Sequence, residues 1–311
     1  MVDPSTADVC VLIPTYNEAQ TIEGVVTGFV DRGYDQILVV DGHSTDETRA
    51  LAAAAGADVI EQSGRGHGAA KGQAIREGLQ HIDAEYVLML DGDGTYRPAD
   101  ADAMLEPLLE GRADHVIGDR FADMQPGAMT RLNKFGNRTI NRLFKTIHGA
   151  DLGDVLSGYR AFTRDSIDRF SLTADGFGIE TEMAVECARL GVATTVVPIT
   201  YRARPDESAT SLRPFRDGGR ILLTMFLRTK TSNPVVYFGT AGVSLVVLGI
   251  VAAAYVAVEW FTRGVSHEVI ALLAAFAVLV GVQLLMFGVL SDLMVTLHRE
   301  QLDRFEDSRK R

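Results

Sequence analysis

Two long uncharged runs limit most strongly what this chain can fold into. No Asp, Glu, Lys or Arg occurs from Val235 to Val258, and none from Val269 to Ser291. At about 1.5 Å per residue, a helix of either run crosses a hydrocarbon layer of roughly 30 Å. Helices buried in a soluble core do not need such length without charge, so two transmembrane helices are expected within residues 233–297. Trp260 and Phe261, in the short connection EWFTRGVSHE, suit the depth of a membrane interface. Arg213, Arg216, Arg220, Arg228 and Lys230 precede the first run, and Arg299, Arg304, Arg309, Lys310 and Arg311 follow the second. The connection holds only Arg263, so the positive-inside rule places both termini in the cytoplasm, with residues 298–311 as a cytoplasmic tail. Within residues 214–232, Ile221, Leu222, Met225 and Phe226 recur at helical spacing among arginines, the pattern of an amphipathic helix on the inner leaflet. A lipid bilayer is the first expected partner.

The remaining residues are polar. Mean hydropathy is +0.09 although 23% of residues are charged, which fits a polar part joined to a very apolar one. A net charge of −11 argues against nucleic acid as a partner. Lysine is confined to Lys71, Lys134, Lys145, Lys230 and Lys310. An acidic, lysine-poor surface suits solubility in a high-salt cytoplasm. Cys10 and Cys187 stand far apart in apolar contexts, without disulfide or zinc spacing, and read as core thiols of a reducing compartment. The opening MVDPSTADVC has neither a basic nor an apolar signal region, so no secretory signal is expected.

Residues 1–213 alternate strand and helix patterns. Strands are expected at Val9–Thr15, Gln36–Asp41, Asp58–Gln62, Tyr86–Leu90 and in HVIGD. Helices are expected at Thr21–Arg32, Asp46–Ala55, Lys71–His81 and Ala99–Leu109, the last opened by Pro98 and kinked or ended by Pro107. This order predicts an α/β fold with a mostly parallel sheet covered on both faces. Ligands of such sheets bind beyond the carboxyl ends of the strands, where Asp41, Asp91 and Asp119 are expected.

The stretch LMLDGDGTY, Leu88–Tyr96, ends a strand in two carboxylates separated by one glycine. Asp and Gly alone suit a turn. Taken with PTYNE (Pro14, Tyr16, Glu18) and VVDGHSTD (Asp41, Ser44, Asp46), the same rim supplies an aromatic face, hydrogen-bond acceptors and a carboxylate pair. Those groups suit a nucleobase, a ribose and a metal-bound diphosphate. Asp46 alone reads as a helix cap. Carboxylate oxygens completed by phosphate and water suit Mg²⁺ or Mn²⁺.

In this order, with AKGQAIREG (Ala70–Gly78) between them, these motifs resemble glycosyltransferase family 2 enzymes of GT-A fold, over roughly residues 8–212. The resemblance implies that Pro14, Tyr16, Glu18, Asp41, Lys71, Asp91 and Arg204 face a nucleotide sugar. It also implies that Asp93, with Asp91, holds the metal. GDRF (Gly118–Phe121), RLNKFGNRTINRLF (Arg131–Phe144) and DVLSGYRAF (Asp154–Phe162) are similar to polyprenyl-phosphate sugar synthases. That likeness implies acceptor-phosphate contacts from Arg120, Arg131 and Ser157, and a catalytic set of Asp91, Asp93 and Arg120. GFGIETEM (Gly176–Met183) resembles their Glu-x-Glu stretch, with Glu180 and Glu182 as support residues or simply a helix's acidic first turn.

A GT-A domain followed by two spans resembles dolichyl-phosphate hexose synthases, haloarchaeal ones in particular. The resemblance implies inverting transfer of hexose, from UDP-glucose or alternatively GDP-mannose, to dolichyl phosphate at the start of lipid-linked N-glycan assembly. Extension of an already glycosylated lipid is a further alternative. One departure is Ser211, where the family's R-x-x-G-x-S-K-L pattern has lysine. A processive polysaccharide synthase would carry Q-x-x-R-W, but the sole tryptophan is Trp260. The sequence leaves oligomeric state open. The acidic composition carries an expectation of its own: thermal stability rises toward molar KCl, and a flat stability curve against KCl would refute the high-salt reading.

Overall fold

The computed structural model describes residues 8–64, 71–176, 178–205, 218, 219, 223, 225, 226 and 233–309. The glycine-rich 65–70 stretch, Ser211, Arg213 and most of the expected 214–232 helix lie outside the described residues. The chain divides into two compact units, Met1–Met225 and Phe226–Arg311.

The first unit is built on β1 (Val9–Thr15), α1 (Ile22–Val30), β2 (Gln36–Asp41), α2 (Thr48–Ala54), β3 (Asp58–Glu61), α3 (Lys71–Gln80), β4 (Tyr86–Met89) and α4 (Ala101–Leu109). It continues through β5 (His115–Met124), α5 (Arg131–His148), β6 (Arg160–Thr163), α6 (Arg164–Asp168), α7 (Ile179–Leu190) and β7 (Thr194–Tyr201). Pro98 opens a short 3₁₀ turn ahead of α4, and Pro107 sits in the last turn before α4 ends at Leu109. Among the described residues the sheet has seven strands, in the order β3-β2-β1-β4-β6-β5-β7.

The apolar runs explain the layers. Every residue of β1 is buried, as a central parallel strand requires. Val9, Val11 and Ile13, with Ile37 and Val39, share one core with Val26 and Phe29 of α1 and Met104 and Leu105 of α4. The alternate residues Cys10 and Leu12, with Leu38 and Val40, pack with Ile75 of α3 and Met183 of α7. Strand periodicity of two therefore divides the helices between the two faces. Both cysteines are buried and free, and burial pushes the Cys10 thiol up to about 12 and Cys187 to about 11.

Two features depart from the sequence pattern. The short strand β6 is antiparallel to both β4 and β5, making the sheet mixed within its parallel majority. β5 does not end at Asp119: it continues to Met124 through an irregularity in its pairing with β7 between Asp119 and Asp123. Asp119 is therefore not a strand-end residue, and its carboxylate accepts the Phe121 N–H at 2.8 Å.

The second unit is a helix pair, α8 (Pro234–Arg263) and α9 (Glu268–Arg309). Asn233 caps α8 by accepting the Val236 N–H at 3.2 Å, and Gly264 ends it in the left-handed conformation at φ 65°. Both helices are long and apolar enough to cross a membrane, and large side chains such as Leu248, Phe276 and Met286 point outward. The two helices pack through glycine. A Cβ on Gly242 would lie 2.7 Å from the Gly281 carbonyl, and one on Gly249 the same distance from the Ala274 carbonyl. Small residues at these positions let the backbones approach, which is how apolar helices associate in lipid. Replacing Gly242 by Leu is expected to force the helices apart at a cost of about 1–3 kcal/mol. A lowered unfolding midpoint in detergent, with Gly239→Leu as the unpacked control, checks this.

Candidate active site

The carboxyl ends of β1 and β2 form one lip of the rim. Asn17 and His43, just beyond these strands, both hold positive φ, at 54° and 63°. Such backbone is uncommon for non-glycine residues and must be held by its surroundings. Here the Asn17 N–H donates to Ser44 Oγ at 2.8 Å, and Asn17 Oδ1 accepts the Thr45 N–H at 2.8 Å. Asp41 is fully buried and accepts the Ser44 N–H at 2.8 Å, with Arg49 Nε 3.7 Å away. Asp46 accepts the Thr48 N–H at 3.1 Å, although the cap position itself belongs to Glu47. Among the described residues, Thr15 Oγ1, Asp41 Oδ1 and Gln62 Nε2 are buried without a hydrogen-bond partner. Buried polar atoms of this kind are rare and suit a polar ligand. Pro14 is buried behind them, and Tyr16 and Glu18 are half-buried.

β4 leads into Asp91-Gly92-Asp93-Gly94, and each glycine has a separate reason. A Cβ on Gly92 would stand 2.6 Å from the Thr15 methyl, and Gly94 turns the chain at φ +72°. The Gly92 carbonyl is pinned by the Thr21 hydroxyl at 2.7 Å. Asp93 is buried, and its Oδ1 accepts the Thr95 N–H at 3.0 Å and the Thr95 hydroxyl at 2.6 Å. Its Oδ2 pairs with Arg204. Arg204 arrives there because the Arg202 N–H donates to the Thr95 carbonyl at 2.9 Å, tying the end of β7 to this turn. Burial and the nearby Asp93 charge push the Glu18 carboxyl up to about 7.

Lys71 starts α3 with its ammonium between Asp91, which it contacts directly, and Glu180 Oε1 at 2.6 Å. The acidic pair at the first turn of α7 is thereby divided in function. Glu182 accepts the Thr173 and Ala174 N–H groups, each at 2.8 Å, and braces the segment packed on the start of α3.

Arg120, on β5, donates through Nε and one terminal nitrogen to Asp154 at 2.5 and 2.8 Å, and lies 5.5 Å from the centre of the Tyr201 ring. This two-point pair fixes the plane of the guanidinium. Ser157 is fully buried in the following loop, and the Gly158 N–H donates to the Tyr96 hydroxyl at 2.9 Å. Arg131 is exposed in the first turn of α5, behind the Thr130 cap. The structure thus brings Glu18, Lys71, Asp91, Asp93 and Arg204 into one charged cluster. Among the described residues, no hydrogen bond or ion pair ties Arg131 to it.

Sequence reasoning passed over Asp154, Tyr96 and Arg160. Arg160 is fully buried and donates to three carbonyls: Ser157 at 3.0 Å, Val155 at 2.8 Å and Glu180 at 3.0 Å. It joins the 155–157 loop to the first turn of α7. The only signal was an arginine inside an otherwise apolar run, YRAF.

Two neighbouring carboxylates thus stand at the carboxyl end of a mainly parallel sheet, with paired cations and buried polar atoms that lack protein partners among the described residues. Asp91 and Asp93 offer hard oxygen donors that fit Mg²⁺ or Mn²⁺. Among the described residues no cluster of three or more acidic, histidine or cysteine ligands exists, so such an ion needs ligand oxygens or water to complete its shell.

The model of the glycosyl transferase family 2 matches residues 10–170, and the chain belongs to that family. It is 60% identical to glycosyltransferase AglJ of Haloferax volcanii, over 98% of this chain and 99% of that protein. It is 35% identical to the dolichyl-phosphate hexose transferase of the same organism, over 69% of this chain and 90% of the other. It is therefore a glycosyltransferase related to dolichyl-phosphate hexose transferases. Glucosyl-3-phosphoglycerate synthase from Mycobacterium tuberculosis, solved with Mn²⁺ and UDP-glucose, shares the fold. Its TM-score is 0.58 at 24% identity, over 72% of this chain and 79% of that one. The sheet is accordingly of the GT-A type.

His115 gives this unit a pH dependence. It is fully buried against Phe162, and its Nε2 lies 3.2 Å from the Arg160 guanidinium. Burial first, and the Arg160 charge second, hold its pKa well below the usual 6.5. The unfolded chain takes up a proton near that value and the folded chain does not, so stability falls as pH drops below about 6.5. Thermal midpoints between pH 7.5 and 5 are expected to decline, less steeply in His115→Gln; equal slopes would contradict this.

Proposed function

We propose that the chain transfers hexose from a nucleotide sugar to dolichyl phosphate, with inversion, at the start of lipid-linked glycan assembly for protein N-glycosylation. The observation that carries this reading is the Asp91–Asp93 pair flanked by Lys71 and Arg204 at the sheet's carboxyl end. The similarity to a dolichyl-phosphate hexose transferase supports the acceptor. UDP-glucose is placed first as donor on the family resemblance, with GDP-mannose second.

In this reading the nucleoside lies over Pro14, Tyr16 and Glu18, with Asp41 accepting from base or ribose. Mg²⁺ or Mn²⁺ held by Asp91 and Asp93 would supply Lewis-acid neutralisation of the leaving diphosphate. Arg120, held in plane by Asp154, orients the acceptor phosphate with Arg131 and the Ser157 loop. An oxygen of the lipid phosphate forms the new bond to the anomeric carbon. The bond to the diphosphate breaks, and its electron pair leaves with the nucleoside diphosphate. The acceptor has a second pKa near 6 and is already largely ionised at neutral pH, so no strong base is required. This agrees with Glu180 and Glu182 being engaged by Lys71 and the 173–174 backbone.

The membrane part of the proposal has a catalytic domain over residues 1–213, an interfacial helix over 214–232, two spans within 233–297 and a tail over 298–311. The arginine-rich flanks support a cytoplasmic catalytic domain and cytoplasmic termini.

The test uses purified full-length protein, dolichyl phosphate, Mg²⁺ or Mn²⁺ and high salt, with labelled UDP-glucose and GDP-mannose in parallel. Label in a mild-acid-labile, monophosphate-linked lipid is expected, and the productive donor settles the nucleotide. Label found only on a glycosylated lipid would replace this acceptor with a sugar hydroxyl. Asp93→Ala is expected to lower turnover roughly a hundredfold or more, the loss of several kcal/mol of charge stabilisation, with the fold intact by circular dichroism.

A further inference from the structure

The two carboxylates suited to a divalent ion both hold a cationic side chain, and they hold it differently. Lys71 is locked: its ammonium touches Asp91 and Glu180, its side chain is 12% exposed, and a Cβ on the adjacent Gly72 would collide with the Ala174 carbonyl at 2.1 Å. Arg204 is 30% exposed and stands just past the end of β7. Its partner atom is the telling one. Asp93 Oδ1 already accepts two hydrogen bonds from Thr95, at 3.0 and 2.6 Å. Oδ2 is therefore the oxygen left for a metal, and Arg204 sits on it.

We propose that Arg204 is a placeholder cation, which holds Asp93 Oδ2 until a nucleoside diphosphate arrives and then transfers to the diphosphate, releasing Oδ2 to the metal. The inference rests on the donor class in the proposed function. A guanidinium and a divalent cation cannot share one buried carboxylate oxygen, because their repulsion at a few ångströms far exceeds thermal energy there. A diphosphate removes the conflict, since it accepts a bidentate guanidinium and the metal on different oxygens. Metal and nucleotide consequently bind as a coupled pair, each strengthening the other by the same factor. Arg204 thus weakens metal binding in the absence of donor and strengthens donor binding in its presence.

The opposite signs provide the test. Mn²⁺ binding to the full-length protein is measured from the electron paramagnetic resonance of free Mn²⁺, alone and with UDP or GDP, correcting for Mn²⁺–nucleotide complexes in solution. In the wild type, the nucleotide is expected to tighten Mn²⁺ about tenfold or more. In Arg204→Gln, Mn²⁺ alone is expected to bind about tenfold tighter than in the wild type, while nucleotide binding with Mn²⁺ weakens. Asp93→Asn serves as the control that loses Mn²⁺ in both conditions. Unchanged or weaker binding of Mn²⁺ alone to Arg204→Gln, with an unaltered unfolding midpoint, overturns the placeholder role even if UDP or GDP still binds. Failure of the wild type to bind either nucleotide with Mn²⁺ would instead sink the transferase reading on which the coupling rests.

Discussion

Lys71 holds its ammonium between Asp91 and Glu180, and three segments distant in sequence meet at that point. Without this cation, two carboxylates would face each other in a poorly solvated cleft, where like charges cost several times what they cost in water. The surrounding backbone is shaped to let the ammonium arrive. Gly72 brings the start of α3 against the 174–175 backbone, and a Cβ on Gly158 would lie 2.8 Å from Asp91 Oδ2 and 3.1 Å from Lys71 Nζ. Glu182 then holds the 173–174 segment in place through two backbone N–H groups and the Thr173 hydroxyl at 2.9 Å. Local charge and local glycine are parts of one arrangement.

Arg160 plays the matching role from beneath, with neutral partners. A fully buried guanidinium is costly to desolvate, and burial accordingly lowers its pKa from the ordinary value. Three backbone carbonyls and the His115 ring offset that cost. In return the loop carrying Asp154, Ser157 and Gly158 is fixed between β5 and α7. Asp154 then sets the plane of Arg120, so the orientation of a rim arginine follows from a second arginine that never reaches the rim.

The sequence revealed what depends on short-range pattern. β1 and β2 are apolar runs bounded by turn residues, and their expected limits, Val9–Thr15 and Gln36–Asp41, match the structure. The helix pair followed from charge-free length. Glycine on both sides of Asp93 was visible, but its cause was not, because Gly92 answers to Thr15, far away in sequence. β6 was missed because RAFT is only four residues long and begins with an arginine, which reads as surface until its three carbonyl partners are seen. The end of β5 was misplaced because a pairing irregularity leaves no mark in composition. Arg120 could be read as a phosphate ligand, but its two-point pair with Asp154 joins positions 34 residues apart. No spacing rule reaches across that interval.

The engaged glutamates bear on the kind of acceptor this rim can serve. A sugar hydroxyl must lose a proton as it attacks, so its enzyme needs a carboxylate or imidazole free to take one. Glu180 is held by Lys71 and Glu182 by the 173–174 backbone, and both are nearly fully buried. Using either as a base would break an interaction that the shape of the cleft depends on. Asp91 and Asp93 are likewise paired with cations. Burial and the Asp93 charge raise the Glu18 carboxyl to about 7, so near neutral pH much of it already holds a proton. An acceptor that brings its own negative charge removes the need for such a base. In the proposed reading, the arginines of the cleft are then the groups that position the nucleophile.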